Sequence, residues 1–292
     1  MILAVYIEVI SRIAFDKAFN AKRKTRDYEI ERLKRWKLWD EEYINSIQVE
    51  DVEITSHDNL KLKGHLIESH KENNKYVILV HGYSAHYSIH IPFIKVFQDM
   101  DFNVLLVEQR AHGSSEGIYA SYGYNESYDI DLWIDYLEKR RGEKLFIGLH
   151  GQSMGAATVM ICGSNNEKVN FVVEDCGYSS AKEQIKFEFS KTKFASFNLV
   201  FWYLNLKARI KCGFDFRKAD PMKEILKSDV PIFFVHGDND KKVPYEMCLD
   251  MYHKRSREKD KILIVKGAGH LESYSKSPEE YKRVLREFLK EI

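Results

Sequence analysis

The stretch KLFIGLHGQSMGAATVMICG, residues 144–163, decides the fold of this chain. Its first half is a continuous apolar run that predicts a buried β-strand, and its second half predicts a helix of small and apolar residues. Ser153 lies at the junction, with Gly151 and Gly155 two positions to either side. Glycines at these positions leave room for a tight strand-to-helix turn. The pattern G-x-S-x-G in this setting indicates a nucleophile elbow, which exposes the serine oxygen above the sheet.

Seven other stretches are typical of strands. Two alternate apolar with polar residues (49–56 and 60–69), and five are continuous apolar runs (76–82, 103–109, 170–176, 231–238 and 261–267). Strands that are apolar on both faces belong in a parallel sheet covered by helices. Because helical patterns separate most of the strands, we expect a doubly wound α/β fold with a mostly parallel, eight-stranded sheet.

The 292 residues are sufficient for one large domain. Residues 1–46 are highly charged and helical in pattern, which predicts an N-terminal helical extension before a domain at 47–292. One connection, residues 177–228, is far longer than the others and rich in aromatic residues. It predicts a small helical cap inserted before the strand at 231–238.

A serine hydroxyl attacks a carbonyl only if a base takes its proton, and the base needs an orienting acid. His270 follows the last strand in a glycine-rich loop and is the predicted base; His112, in the loop 109–117, is its rival. Asp240 is the predicted acid because it lies in the loop after the strand at 231–238. Asp238 is expected to stabilise that turn, and Asp175 is a second rival.

Two backbone N–H groups are expected to hold the oxyanion: that of Met154, which follows the nucleophile, and that of Tyr83, after the strand at 76–82. The Tyr83 ring and the aromatic residues Phe187, Phe201 and Trp202 of the cap are candidates for the substrate pocket. The sequence shows no strongly basic or acidic cluster that would indicate a charged substrate.

The composition gives no indication of a nucleic acid, a metal or a cofactor. The chain has 45 basic and 44 acidic residues, so nothing favours a nucleic acid. The four cysteines have no zinc spacing, and we expect no metal and no cofactor. Free thiols are typical of a reducing compartment, which favours the cytoplasm. The oligomeric state stays open.

The first fifteen residues are apolar at helical spacing but carry Glu8 and Arg12. They are too short and too charged to span a bilayer, and they make a poor signal peptide. Two interpretations remain: a helix docked on the domain, or peripheral membrane contact through residues 1–26, supported by the basic run that begins at Lys22.

The motifs at 81–83 (HGY), 109–117 (QRAHGSSEG), 151–158 (GQSMGAAT), 236–244 (HGDNDKKVP) and 267–270 (GAGH) resemble successive landmarks of the α/β-hydrolase superfamily. The order Ser153, Asp240, His270 is that of the superfamily. Within it, the chain resembles bacterial serine hydrolases of the lysophospholipase-like and prolyl-oligopeptidase-like branch. It departs from the usual pattern at Glu108 and Ala111, where aspartate and glycine are more common.

The residues and the resemblance together imply a serine hydrolase that cleaves carboxylic esters of small to medium acyl chains through an acyl-enzyme. Three alternatives stay open. They are a lysophospholipase or monoglyceride lipase at a membrane surface, a peptidase or amidase, and a non-catalytic ligand-binding protein on a hydrolase scaffold.

Overall fold

The fold is known from a computed structural model, which describes residues 2–19, 23–142, 144–190 and 196–292. The strands are β1 (Glu50–Thr55), β2 (Lys61–Ile67), β3 (Lys75–Val80), β4 (Asn103–Val107), β5 (Phe146–Gln152), β6 (Val169–Asp175), β7 (Ile232–Gly237) and β8 (Lys261–Val265). They form one sheet in the order β1-β2-β4-β3-β5-β6-β7-β8. Only the β1–β2 and β2–β4 pairs are antiparallel. The predicted doubly wound, mostly parallel sheet is confirmed, and each strand lies on one of the eight expected stretches.

Helices cover both faces of the sheet. They are α1 (Ile2–Phe19), α2 (Arg26–Arg35), α3 (Glu41–Ser46), α4 (Ile91–Gln98), α5 (Tyr124–Arg141), α6 (Met154–Asn165), α7 (Ala181–Ser190), α8 (Phe197–Lys211), α9 (Pro221–Ile225), α10 (Glu246–Arg255), α11 (Ser273–Lys276) and α12 (Pro278–Lys290). Val77 and Leu79 of β3 pack under α4 and α12, whereas Ile78 and Val80 pack under α5 and α6. This alternation is the physical reason why the central strands are apolar throughout.

A third apolar cluster lies apart from the two sheet faces and joins α1 to the segment 177–228. It contains Phe15 and Phe19 of α1, Phe201 and Leu204 of α8, and Phe216 in a short 3-10 helix. The N-terminal helix is thus docked on α8, and the aromatic residues of this segment are partly used to hold it. Among the described residues, no helix combines the length and hydropathy that crossing a bilayer requires.

The segment after α1 runs along the edge of the sheet where the parallel strands end. The N–H of Lys24 donates to the carbonyl of Ser84 at 2.8 Å, in the loop after β3. Leu33 of α2 is fully buried in the core on the α4 side of the sheet. These contacts place residues 23–36 beside the loops that follow β3, β5 and β8.

Candidate active site

Ser153 occupies a strained turn between β5 and α6. Its backbone lies at φ 57° and ψ −117°, in a region that a residue with a side chain adopts only when the surrounding structure imposes it. A Cβ at Gly151 would lie 2.2 Å from the carbonyl oxygen of Gly155, and a Cβ at Gly155 would lie 1.9 Å from that of Val80. The two glycines are therefore required because backbone meets backbone on both sides of the serine.

The structure brings the three predicted residues together. Nε2 of His270 lies 3.0 Å from Oγ of Ser153, and Nδ1 lies 2.6 Å from Oδ2 of Asp240. Ser153 follows β5, Asp240 follows β7, and His270 follows β8. Parallel strands deliver all three to one edge of the sheet, which is why residues far apart in the chain meet there.

The rivals of these residues are engaged elsewhere. His112 accepts from the N–H of Ser84 at 2.9 Å through Nε2, while its Nδ1 lies 2.8 Å from the carbonyl of Arg110. Asp238 accepts from the N–H of Gly267 at 2.6 Å, which joins the loops after β7 and β8. Asp175 accepts from the side chain of Gln152 at 2.9 Å. None of the three contacts Ser153 through its side chain among the described hydrogen bonds.

Hydrogen bonds from four groups hold the Asp240 carboxylate. The N–H groups of Lys242 and Val243 donate to Oδ1 at 2.7 and 3.0 Å, and Nε2 of His236 lies 3.3 Å from Oδ2. Burial alone would raise the pKa of Asp240, but the bonds with His236 and His270 outweigh it and hold the pKa well below the usual range. Burial also lowers the pKa of His270, despite the neighbouring carboxylate. The imidazole is therefore a neutral base beside a permanently ionised acid.

His236 is a residue of this site that sequence reasoning missed. It is the penultimate residue of β7, four positions before Asp240, and is fully buried. Its Nε2 lies 3.0 Å from the carbonyl of Val243, so this ring also holds the acid loop in place. Burial disfavours the charged ring, but Asp240 and Glu174 outweigh it and raise the pKa of His236. The sequence signal for this role of His236 is its position near the end of the strand that precedes Asp240.

The loop after β3 lies directly against the serine. A Cβ at Gly82 would approach the Cβ of Ser153 to 3.1 Å, so the N–H of the next residue, Tyr83, is close to the nucleophile. Met154 is the first residue of α6 and is buried. Over the described part of the chain, neither the Tyr83 N–H nor the Met154 N–H has a protein acceptor.

Ser153 and His270 open into a cavity of about 420 Å³ whose walls differ from the expected ones. Of the residues expected in the substrate pocket, Tyr83 lines this cavity, whereas Phe187, Phe201 and Trp202 do not. Phe201 packs against other rings of the cluster around α1, and Trp202 is 61% exposed. The sequence pattern of segment 177–228 shows that its aromatic residues are clustered, but not which face of each helix meets the site, so their role in substrate binding stays a prediction.

The other walls of the cavity come from the N-terminal extension and the acid loop. Residues 23–36 contribute Lys24, Arg32, Arg35 and Trp36, and Lys242 faces them from the loop after β7. The expectation that the chain has no basic cluster is wrong. Lys242 is more than 200 residues away from the other three cations in the sequence, and only folding makes it their neighbour.

Two groups of side chains have the composition of metal ligands. The potential ligand atoms of Glu174, His236 and Cys248 lie within 4.8 Å of one another, as do those of Cys176, Asp240 and His270. Burial raises the pKa of both thiols well above the usual value, whereas a metal binds the thiolate. The second group would also occupy the base. We therefore assign neither group to a metal.

Comparison with known proteins gives the superfamily. A family model described as "Serine aminopeptidase, S33" matches residues 71–195. The chain superposes on the Pyrococcus furiosus esterase Pf2001 with a TM-score of 0.68 and 26% identity, over 87% of this chain and 94% of that one. The chain belongs to the α/β-hydrolase superfamily.

Two curated proteins are similar to this α/β hydrolase in sequence. The uncharacterized protein YqkD of Bacillus subtilis is 27% identical over 234 residues, which is 78% of this chain and 75% of that protein. The thiohydrolase aneE of Aspergillus aculeatus is 30% identical over 130 residues, 43% of this chain and 41% of that protein.

Proposed function

We propose that this α/β hydrolase cleaves carboxylic esters of small to medium acyl chains through an acyl-enzyme. The observation that carries the proposal is the continuous hydrogen-bonded array from Ser153 through His270 to Asp240, with bonds of 3.0 and 2.6 Å. A serine hydroxyl next to a neutral imidazole is an activated nucleophile. The similarity to the esterase Pf2001 supports an ester substrate.

In the acylation step, Ser153 Oγ attacks the ester carbonyl while His270 Nε2 takes its proton. The imidazolium returns that proton to the leaving alcohol, and Asp240 stabilises the charged ring through Nδ1–H. The N–H groups of Met154 and Tyr83 stabilise the oxyanion. In deacylation His270 activates a water molecule, which releases the acid and restores Ser153.

The test is labelling and turnover of the Ser153→Ala variant. We expect it to lose several orders of magnitude in kcat on p-nitrophenyl esters from acetate to decanoate, and to lose labelling by a fluorophosphonate. Ser114→Ala, which removes an exposed hydroxyl in another loop, is the control and should behave as wild type. Hydrolysis by Ser153→Ala at the wild-type rate would contradict the proposal.

A panel of leaving groups distinguishes ester hydrolysis from amide and thioester hydrolysis. The family description names an aminopeptidase and one relative is a thiohydrolase, and both reactions pass through an acyl-enzyme. We expect p-nitrophenyl hexanoate to exceed hexanoyl p-nitroanilide in kcat/KM. Preference for the anilide, or for a hexanoyl thioester, would replace the ester assignment while keeping Ser153 as the nucleophile.

A membrane-directed lipase is the second candidate, because α1 and α8 each expose apolar side chains. Val9 and Ile13 lie one turn apart on α1 and are 50% and 51% exposed, and Trp202 and Ile210 of α8 are 61% and 75% exposed. If these residues contact lipid, wild type floats with vesicles and the double substitution Val9→Ser, Ile13→Ser does not. The control Thr55→Ser should float as wild type.

A further inference from the structure

We propose that the cavity beside Ser153 binds an anionic group of the substrate, a carboxylate or a phosphate, through Lys24, Arg35, Lys242 and the guanidinium of Arg32. The inference rests on the proposed function in one respect: the anionic group belongs to the ester that Ser153 attacks. The enzyme would then prefer esters that carry a negative charge at some distance from the scissile bond. All four cations line the same cavity as Ser153 and His270.

Among the described residues, the carboxylates near the cavity, Glu272 and Glu29, are fewer than its four cations. Glu272 is the acidic residue in the wall, and it accepts from the N–H of Gly269 at 3.0 Å. Arg32 pairs with the buried Glu29 at 3.0 Å. Lys24, Arg35 and Lys242 form no ion pair with any residue in the ranges that the structure describes. An anionic ligand would supply the missing charge.

The position of Lys24 disfavours a cation when no anionic ligand is bound. It immediately precedes Thr25, the N-cap of α2, and the positive end of a helix dipole repels a cation. Burial and the charges of Arg32 and Lys242 lower the pKa of Lys24, which also shows that the three groups are close together. The half-buried ammonium gains from an anion that enters with the ligand, because Glu29, a carboxylate that acts on it, is already paired with Arg32.

Helix stability explains only part of this cluster. Arg32 and Arg35 lie in the last turn of α2, where cations interact well with the negative end of the dipole. That explanation does not extend to Lys24 at the other end, or to Lys242 on a different loop. Arg32 is further held over the rings of Tyr28 and Trp36, 5.2 and 5.5 Å from their centroids. A guanidinium held in this way suits planar carboxylates and phosphates.

The anionic group would be close to the reacting atoms. Lys242 follows Asp240 by two positions, and its charge contributes to the lowered pKa of His270. A cavity of about 420 Å³ has the size typical of small-molecule sites. One substrate can therefore place its carbonyl at Ser153 and its anionic end against the cations.

The kinetic test compares two esters of equal chain length, p-nitrophenyl hexanoate and the mono-p-nitrophenyl ester of adipate. We expect wild type to prefer the adipate ester, and the preference, as a ratio of kcat/KM values, to fall about tenfold in Arg35→Gln and in Lys242→Gln because a charge-assisted hydrogen bond is lost. The fall should appear mainly in KM and should be reproduced by added salt. Lys259→Gln, an exposed lysine just before β8 at the opposite edge of the sheet, should keep the wild-type ratio.

A binding test does not depend on turnover. In the Ser153→Ala variant, Trp36 fluorescence reports binding of hexanoate and hexyl phosphate, with hexan-1-ol as the uncharged control and Trp36→Phe to assign the signal. We expect both anions to bind more tightly than the alcohol, and Arg35→Gln and Lys242→Gln to remove that difference. The relative affinity of the two anions identifies the group, a carboxylate or a phosphate.

The outcomes separate this inference from the proposed function. Ser153-dependent hydrolysis of both esters without preference, together with equal binding of the alcohol and the anions, overturns the anionic site and leaves the esterase standing. If no Ser153-dependent hydrolysis is observed, the proposed esterase activity is overturned. The binding test then still shows whether the cavity binds an anionic group. Binding to phosphatidylserine vesicles that depends on Arg35 and Lys242, with no binding of the soluble anions, would also overturn the proposal.

Discussion

His270 is kept neutral by its surroundings rather than by its own chemistry. Burial removes water from the ring and disfavours the imidazolium, and the charge of Lys242 acts in the same direction. Asp240 opposes this effect but does not cancel it. The balance favours proton acceptance from Ser153 in the resting enzyme, because a base is ready to act only when it is unprotonated.

The pH dependence of kcat/KM should show this balance. Protonation of His270 removes the base, so activity on p-nitrophenyl hexanoate should fall as the pH decreases. Because the pKa of His270 lies below the usual 6.5, the midpoint should lie below 6.5. Lys242→Gln should move it upward, since that lysine contributes to the lowered pKa, and Lys259→Gln should not. A wild-type midpoint above 7 would contradict this account.

The sequence predicts those site residues whose surroundings are formed by adjacent residues of the chain. Ser153 could be predicted because its turn, its strand and its helix are contiguous. His236 could not, since its contact with Asp240 depends on how the loop after β7 folds back. A histidine before a glycine at a strand end looks the same whether it packs on backbone or supports an acid.

The close approach of α6 to the sheet explains its small residues. A Cβ at Gly163 would lie 2.4 Å from a methyl group of Val172, and one at Gly155 would collide with the carbonyl of Val80 in β3. Ala156 and Ala157 are fully buried in the same helix. The helix thus lies so near the strands that its N-terminus, and Ser153 with it, has little freedom to shift.

Gly155→Ala should be strongly destabilising. The added methyl group meets backbone of β3 at 1.9 Å, and backbone cannot rotate away as a side chain can. We expect a loss of about 3 kcal/mol or more in the free energy of unfolding, measured by urea denaturation. Gly213→Ala is the matched control: it has a positive φ but no atom within 4 Å, so it should cost only about 1 kcal/mol. Equal losses would contradict the backbone collision.

The helices of segment 177–228 illustrate what periodicity leaves undecided. The segment 197–211 is apolar enough to predict α8, and α8 forms. Its aromatic residues nevertheless divide among different surroundings, with Phe201 buried and Trp202 largely exposed. A helical pattern identifies a buried face, but not whether that face meets a substrate or another helix such as α1.

The N-terminal extension is part of the proposed binding site and not only an addition to it. Phe15 and Phe19 hold α1 on α8, and Leu33 holds α2 on the main core. These anchors position Lys24 and Arg35 over the loops that carry Ser153 and His270. Relatives that lack this extension would need other residues to form the same wall.

A buried carboxyl group connects the stability of the fold to pH. Burial raises the pKa of Glu174 to about 7, although His236 beside it opposes the effect. Between about pH 4.5 and 7 the folded state retains a proton that the unfolded state has released, so the free energy of unfolding decreases as the pH rises. At about 1.4 kcal/mol for each pKa unit, the contribution is up to about 3 kcal/mol.

Glu174→Gln should remove this pH dependence, because an amide has no proton to release in this range. Urea denaturation at pH 5 and pH 8 measures it: the variant should lose less stability than wild type between the two values. The exposed Glu167→Gln provides the control and should follow wild type. An unchanged pH dependence in Glu174→Gln would show that the carboxyl is ionised in the folded protein at neutral pH.

The order of strands and helices, the elbow at Ser153 and the identity of its partners follow from local patterns. Each depends on a few consecutive residues whose apolar period, glycines or loop position have a direct steric meaning. The shape and charge of the cavity depend instead on contacts between distant parts of the chain. Lys24, Arg35 and Lys242 are ordinary surface cations in the sequence, and only the docking of α1 and α2 brings Lys24 and Arg35 next to Lys242 and Ser153. The interaction between two charges depends on the distance between them in space. That distance is set by the packing of apolar faces, and the sequence pattern does not specify which faces pack together.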